Sequence, residues 1–265
     1  MYLTDMSLPR FFLSNQILSD EAEEVFALRL DTDDLNHIKA LRLTKGEHLV
    51  VIDATSDYFE CEITDIDSRS VFVRISQRKN NDSLRPTVVL AQGICKGEKM
   101  DKVICHATEL GVAGFIPLIC DRSVVKLTDK KVDARIKRWN SIAKSAAMQS
   151  GQSAIPEISE PMTIFQLQQF AYNASCLLVF WEEEHQQTLH EALWNALSSQ
   201  GIAVEDARIL VVIGPEGGLD ETEVSLLCGD NPFATTVGIG PSILRTETAG
   251  VVAPALVLYE LGALS

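Results

Sequence analysis

Two stretches in the last third of the chain place charged side chains beside glycine-rich turns. In Ile209-Leu-Val-Val-Ile-Gly-Pro-Glu-Gly-Gly-Leu-Asp-Glu-Thr-Glu223 an apolar run ends in Gly214, Pro215, Glu216, Gly217 and Gly218. Asp220 with Glu223 three residues on then reads as a capping box that opens a helix. About 25 residues further, Val237-Gly-Ile-Gly-Pro-Ser-Ile-Leu-Arg-Thr-Glu-Thr-Ala249 repeats the plan, with Arg245 and Glu247 at the helix entry. Glycines at the carboxyl end of a parallel strand let the backbone approach a ligand and turn main-chain N–H groups towards it. Two such strand ends in one sheet predict a shared crevice. Neither stretch follows the dinucleotide pattern G-x-G-x-x-G, and neither carries the Lys-Ser/Thr of a phosphate loop. The ligand to expect is a nucleotide with few phosphates or none.

The elements that must carry these turns follow from periodicity. After Pro86, strand-like runs (Val88–Gln92, Phe115–Leu118, Leu177–Trp181, Ile209–Ile213, Thr235–Ile239) alternate with helical stretches (Met100–Leu110, Val132–Gln149, Leu189–Ser199, Asp220–Cys228, Thr246–Leu261). That rhythm predicts a parallel sheet flanked by helices. The first 75 or so residues read instead as short strands, His48–Asp53, Phe59–Thr64 and Ser70–Ser76, with one helix over Asp33–Leu43. They predict a small barrel or sandwich. Residues 77–86 are polar, end in proline and read as a linker. The expected division is 1–78 and 79–265.

The 265 residues are 46% hydrophobic and 23% charged, ordinary for a globular protein, with a formal charge of −14. Taken alone, that charge disfavours nucleic acid as a partner. The distribution is uneven: residues 92–144 hold 11 Lys/Arg against 6 Asp/Glu, whereas residues 145–265 hold 2 against 15. A basic island is compatible with a local anion-binding face. The six cysteines form neither a C-x-x-C pair nor a Cys/His cluster at metal-ligand spacing, so they are expected as free thiols without a metal. No apolar stretch is long enough to span a bilayer, and no signal peptide is visible. A cytoplasmic protein is expected.

The chain resembles the RsmE family of bacterial ribosomal RNA methyltransferases, within the SPOUT superfamily. The likeness rests on Leu/Val-Val-Ile-Gly-Pro-Glu-Gly-Gly and Ile-Leu-Arg-Thr-Glu-Thr-Ala, and on blocks along nearly the whole chain. These are Pro9-Arg10-Phe11-Phe12, His37–Arg42 with Lys45-Gly46-Glu47, Lys96-Gly-Glu-Lys-Met-Asp101 running to Ala107-Thr-Glu-Leu-Gly-Val112, and Arg138-Trp139 with Ala146–Ser150. The family usually has acidic residues where Ser145 and Met148 stand, and an arginine where Gln152 stands. The resemblance implies an α/β protein, an N-terminal PUA-like β-barrel that helps to bind RNA followed by a SPOUT α/β domain with a C-terminal trefoil knot. It implies S-adenosyl-L-methionine as cofactor, a homodimer, and methylation of N3 of a uridine in 16S rRNA of the small ribosomal subunit.

Chemistry then assigns roles. The sulfonium makes the methyl group electrophilic, so alignment is the main task. Uridine N3 carries a proton at neutral pH, so an anion must be stabilised and a proton removed. Arg245 is expected to stabilise the uracil, with Glu247 as the candidate base. Cofactor contacts are expected from Leu210, Ile213, Gly214, Pro215, Glu216 and Gly217 on one wall. Ile239, Gly240, Ile243, Leu244, Thr248 and Ala249 are expected on the other. Arg10, Arg42, Lys96, Lys99 and Arg122 are expected on RNA phosphates. Lys130 and Lys131 read as a solvated helix face, and Glu182-Glu183-Glu184 as a loop bordering the crevice. The alternative reading is a catalytically inactive ribosome-assembly or RNA-binding factor of the same fold. The intact glycine loops argue against it.

Overall fold

Alternating apolar residues in the first part of the chain build one sheet, and continuous apolar runs in the rest build another. A computed structural model describes residues 8–79, 85–124, 129–184 and 186–264, without the side chains of 79 and 129–131. Residues 80–84 of the supposed linker 77–86 lie outside the described residues, as do the Lys130 and Lys131 side chains and the first seven residues, while 77–79 are no linker but the end of a strand that begins at Val71. The chain divides into two compact units, Met1–Ser83 with Ala147–Ile155, and Leu84–Ala146 with Pro156–Ser265.

The first unit holds β1 (Arg10–Phe12), β2 (Phe26–Ala27), α1 (Thr32–Leu41), β3 (His48–Ile52), β4 (Tyr58–Ile66) and β5 (Val71–Lys79). The sheet order is β1-β3-β4-β5-β2, with β1 parallel to β3 and the other neighbours antiparallel. Period-two alternation sends Leu49, Val51, Cys61, Ile63, Val71 and Val73 to one face, where they pack with Phe11 and Ile38. The opposite face keeps a smaller cluster of Val50, Ile52 and Tyr58. Met148 belongs to the first cluster, which gives a packing reason for an apolar residue there. The strands β1 and β2 are three and two residues long, too short to leave a periodic signature.

The second unit runs β6 (Thr87–Gly93), α2 (Lys99–Leu110), β7 (Gly114–Ile119), α3 (Asp129–Ser150), β8 (Glu157–Ile158), β9 (Met162–Thr163), α4 (Ile164–Ala171), β10 (Cys176–Phe180), α5 (Leu189–Gln200), β11 (Arg208–Ile213), α6 (Glu221–Cys228), β12 (Ala234–Val237) and α7 (Thr246–Glu260). The last turn of α3 is grouped with the first unit. The strand order is β12-β10-β11-β6-β7-β8, with β9 also on β7, and every pairing is parallel. All five residues of β10 and the last five of β11 are buried, as a sheet covered on both faces requires. The helices α4 and α6 close one face over Leu177, Val179, Leu210 and Val212. The helices α2 and α7 pack together, with α7 on β6 and β11. The helix α4 is absent from the sequence reading, although Thr163 and Gln166 form its capping box. No helix among the described residues is long and apolar enough to cross a membrane.

Candidate functional site

The strands β10, β11 and β12 lie side by side, and the segments after them meet at one edge of the sheet. There they enclose a cavity of about 620 Å³. Its walls come from Phe180, Trp181, Glu182 and Glu184, from 213–216 with Gly218, and from 238–246, with Lys99 from α2 and Ala249 from α7. Nine of the twelve residues expected on the cofactor line it: Ile213, Gly214, Pro215, Glu216, Ile239, Gly240, Ile243, Leu244 and Ala249. Arg245 lines it as well.

Three expected residues stand elsewhere. Leu210 is 1% exposed within the apolar cluster under α4 and α6, because strand alternation turns its side chain into the core. Gly217 packs on Arg122, whose Cβ would lie 2.9 Å from a Cβ added to the glycine. Thr248 is exposed on α7, outside the lining. Conversely, Phe180, Trp181, Glu182 and Glu184 line the cavity as the third wall, which only the acidic triplet after β10 hinted at. The signal that would have found it is the position of β10 between β11 and β12, a topological fact.

Close packing of the backbone makes this edge possible. A Cβ at Gly93 would run into Pro215 and Gly214, so only glycine lets the end of β6 pass that loop. Gly218 has φ +70, the left-handed conformation that closes the turn after β11. Beneath the cavity, the Thr246 hydroxyl donates to the Gly214 carbonyl at 2.6 Å. The fully buried Gln92 amide donates to Thr246 Oγ1 at 2.9 Å. Three segments remote in sequence are thereby tied at the floor of the site.

Charge is arranged unevenly around the rim. Lys99 Nζ bridges Glu216 at 3.2 Å and Glu247 at 3.3 Å. Burial would raise the Glu216 carboxyl, but its own N–H, the Lys96 N–H at 3.0 Å and Lys99 outweigh this and hold it below its ordinary range. Glu247 is also held low, chiefly by its own backbone N–H at the start of α7, with Lys99 and Arg245 adding to it. Arg245 is exposed, and although its carbonyl accepts the N–H groups of Thr248 and Ala249, its guanidinium makes no hydrogen bond or ion pair with the described residues. Cys95, beside Thr246, is pushed up to about 11 by burial, so its thiol stays protonated.

The cations expected on RNA fall into different situations. Arg10 is buried: its guanidinium donates to the carbonyls of Gly151 and of Gln152 (2.7 Å) and lies over the Tyr58 ring. It is a tether within the first unit rather than an open phosphate contact. Lys99 is likewise engaged, by two carboxylates of the cavity. Arg122 is exposed and braces the glycine turn through the carbonyls of Gly217 and Leu219, each at 3.4 Å. Arg42, at the C-cap of α1, and Lys96 are exposed. Among the described residues Cys105, His106 and Glu109 bring three ligand atoms within 4.8 Å of one another on α2, a grouping not read from the sequence.

Comparison with known proteins places this geometry. An RNA methyltransferase domain model matches residues 82–258, and an RNA methyltransferase PUA domain model matches 30–76. The chain is 32% identical over 255 residues to a Bacillus subtilis protein named ribosomal RNA small subunit methyltransferase E, covering 96% of this chain and 97% of the relative. A Legionella pneumophila protein solved with its bound cofactor SAM is 27% identical, with a TM-score of 0.75 over 95% of this chain and 97% of that one. The fold is also that of a Neisseria gonorrhoeae ribosomal RNA small subunit methyltransferase E bound to S-adenosyl methionine. That likeness has 23% identity and a TM-score of 0.76, over 95% of this chain and 97% of that one.

Proposed function

Because the chain belongs to the ribosomal RNA small subunit methyltransferase E family, we propose that it transfers the methyl group of S-adenosyl-L-methionine to N3 of a uridine in 16S rRNA. It is a methyltransferase of small-subunit ribosomal RNA that uses this cofactor. The proposal concerns the atom modified and the residues responsible. The observation that carries it is the cavity at the ends of β10, β11 and β12, built from glycine turns and apolar side chains. Its volume suits a nucleoside-sized ligand. Of the two cations lining it, Lys99 is neutralised by two carboxylates and Arg245 alone is left open, fewer than the clustered charge a polyphosphate calls for.

When bound, the cofactor supplies an electrophilic methyl group. In this reading the backbone at Ile239, Gly240 and Leu244 holds the adenine against Ile213 and Gly214. The Gln92–Thr246–Gly214 hydrogen bonds keep the two walls at a constant separation. Arg245 faces the uracil and stabilises the charge that develops as N3 loses its proton. Glu247, ionised beside Lys99, receives that proton. Its lowered pKa makes it a weak base, so the reaction relies on Arg245 to acidify N3. The protonated Cys95 thiol disfavours a covalent route through that residue.

We extend the reading to the whole molecule. The first unit serves as a PUA-like barrel that helps to bind RNA, with Arg42 on phosphate; in the second unit, Lys96 and Arg122 contact phosphates. The C-terminal trefoil knot is part of this reading on the family resemblance alone. The exposed Leu256 and Tyr259 on α7 and Ile243 at the cavity rim suit a homodimer interface. Six free cysteines suit the reducing cytoplasm.

The test uses small ribosomal subunits and naked 16S rRNA, both lacking the modification, incubated with radiolabelled S-adenosyl-L-methionine. Nuclease digestion and mass spectrometry locate the label. Label on N3 of one uridine supports the reading, and the better substrate reveals when in assembly the enzyme acts. Label on another atom, or cofactor binding without transfer to either RNA, refutes it.

A further inference from the structure

Four carboxylates stand at or beside the cavity, and three of them already receive protein donors. Glu184 accepts the backbone N–H groups of Gln186 (2.8 Å) and Gln187 (3.1 Å) through Oε1 and the Thr236 hydroxyl (2.6 Å) through Oε2. Glu216 is occupied by the Lys96 N–H and by Lys99. Glu247 is paired with Lys99. Glu182 lines the same cavity and has neither a hydrogen bond nor an ion pair with the described residues.

Its position is set by the sheet. Phe180 pairs in register with Ile213 on one side and Val237 on the other. Glu182, two residues beyond, therefore emerges level with the turns that follow both neighbouring strands. Its carboxylate fills the space where a Cβ on Gly218 would be. Gly218 thus closes the turn and leaves room for the acid.

We propose that Glu182 accepts the vicinal ribose hydroxyls of the bound S-adenosyl-L-methionine, an inference that rests on the cofactor reading above. A cis-diol presents two O–H donors side by side, and a carboxylate offers two oxygens able to accept both. Such bonds are charge-assisted and need no proton transfer. With the adenine against Ile213 and Gly214, the attached sugar is the part of the ligand that comes level with residue 182. An acidic side chain on ribose hydroxyls at strand ends is the arrangement that dinucleotide folds also use.

The experiment is calorimetric titration of the full-length protein with S-adenosyl-L-methionine, with 5′-methylthioadenosine, and with the 2′-deoxy form of the latter. Methylthioadenosine keeps the ribose but lacks the amino acid. Glu182→Ala is expected to weaken binding of the first two by about 30-fold each. The unaltered protein prefers the ribose compound to its 2′-deoxy form by about tenfold, and the variant loses that preference. Glu183→Ala removes the same charge one residue away and leaves all three affinities unchanged; an equal loss there would assign the effect to the general field and overturn the proposal. Unchanged methylthioadenosine affinity with weakened S-adenosyl-L-methionine binding would assign Glu182 to the methionine ammonium, and also overturns it. Failure of the unaltered protein to bind S-adenosyl-L-methionine would sink the cofactor reading itself. Glu182 is exposed, so the unliganded melting temperature is expected to match that of the unaltered protein.

Discussion

The turn at Asp53 in the first unit and the cavity rim in the second both concentrate charge, yet they treat it in opposite ways. Asp53 is buried and its carboxylate accepts the N–H groups of Leu18 (3.0 Å), Thr55 (2.9 Å) and Asp57 (3.1 Å) and the Thr55 hydroxyl (2.7 Å). Arg10, in the same unit, is similarly enclosed by two carbonyls and a tyrosine ring. At the cavity, Arg245 and Glu182 face open space with no protein partner among the described residues. A charge whose hydrogen-bonding capacity is filled by its own unit contributes to stability. A charge left unfilled in a concave site is available to a ligand. Residue type does not separate the two cases, since arginine and a carboxylate occur in both.

The largest effect is expected at Arg245. Arg245→Ala is expected to lower methyl transfer by about 10²–10³-fold, as removal of one charge-stabilising donor does elsewhere. Its melting temperature should stay with that of the unaltered protein, and near-normal turnover would show that the open guanidinium is not catalytic.

Asp53→Asn should behave in the reverse way, with a loss of about 2 kcal/mol in unfolding free energy at pH 7. Burial alone would raise the Asp53 carboxyl, but the Thr55 hydroxyl and the three backbone donors outweigh it and hold the group below its ordinary range. A depressed folded-state pKa means that this stability is present above the unfolded-state value and is lost as the pH falls through the folded one. Urea titrations at stepwise lower pH should therefore show the gap between the two proteins closing below about pH 4. A gap that persists in acid would mean that the shape of the turn matters and its charge does not.

The smallest effect is expected where the two regimes meet, in the buried polar floor of the cavity. Thr246→Val removes the 2.6 Å bond to Gly214 and the acceptor for Gln92. Affinity for S-adenosyl-L-methionine should fall about tenfold by calorimetry, while Thr246→Ser retains it. Equal losses in both variants would point to the methyl group and packing instead.

Much of the second unit is legible in the sequence. The apolar runs become β6, β7, β10, β11 and β12, and the glycine turns after β11 and β12 border the cavity. The reading loses force where signals become short or remote. The strands β8 and β9 have two residues each, below any periodicity. The grouping of residues 147–155 with the first unit has no local marker, because it depends on what Met148 packs against and on the carbonyls that Arg10 finds. Lys99 reads as one more member of a basic island until Glu216 and Glu247 are seen on either side of it.

Side-chain period and backbone freedom are properties of neighbouring residues. The sequence by itself therefore determined which runs become strands, where a helix is capped and which turns need glycine. Partnership between charges is a property of chain crossing. Gln92 and Thr246 stand 154 residues apart, and Lys96 and Glu216 stand 120 apart. Only the tertiary structure decided that these groups would meet at the end of one sheet, and so which charges are consumed by the fold and which are left for a ligand.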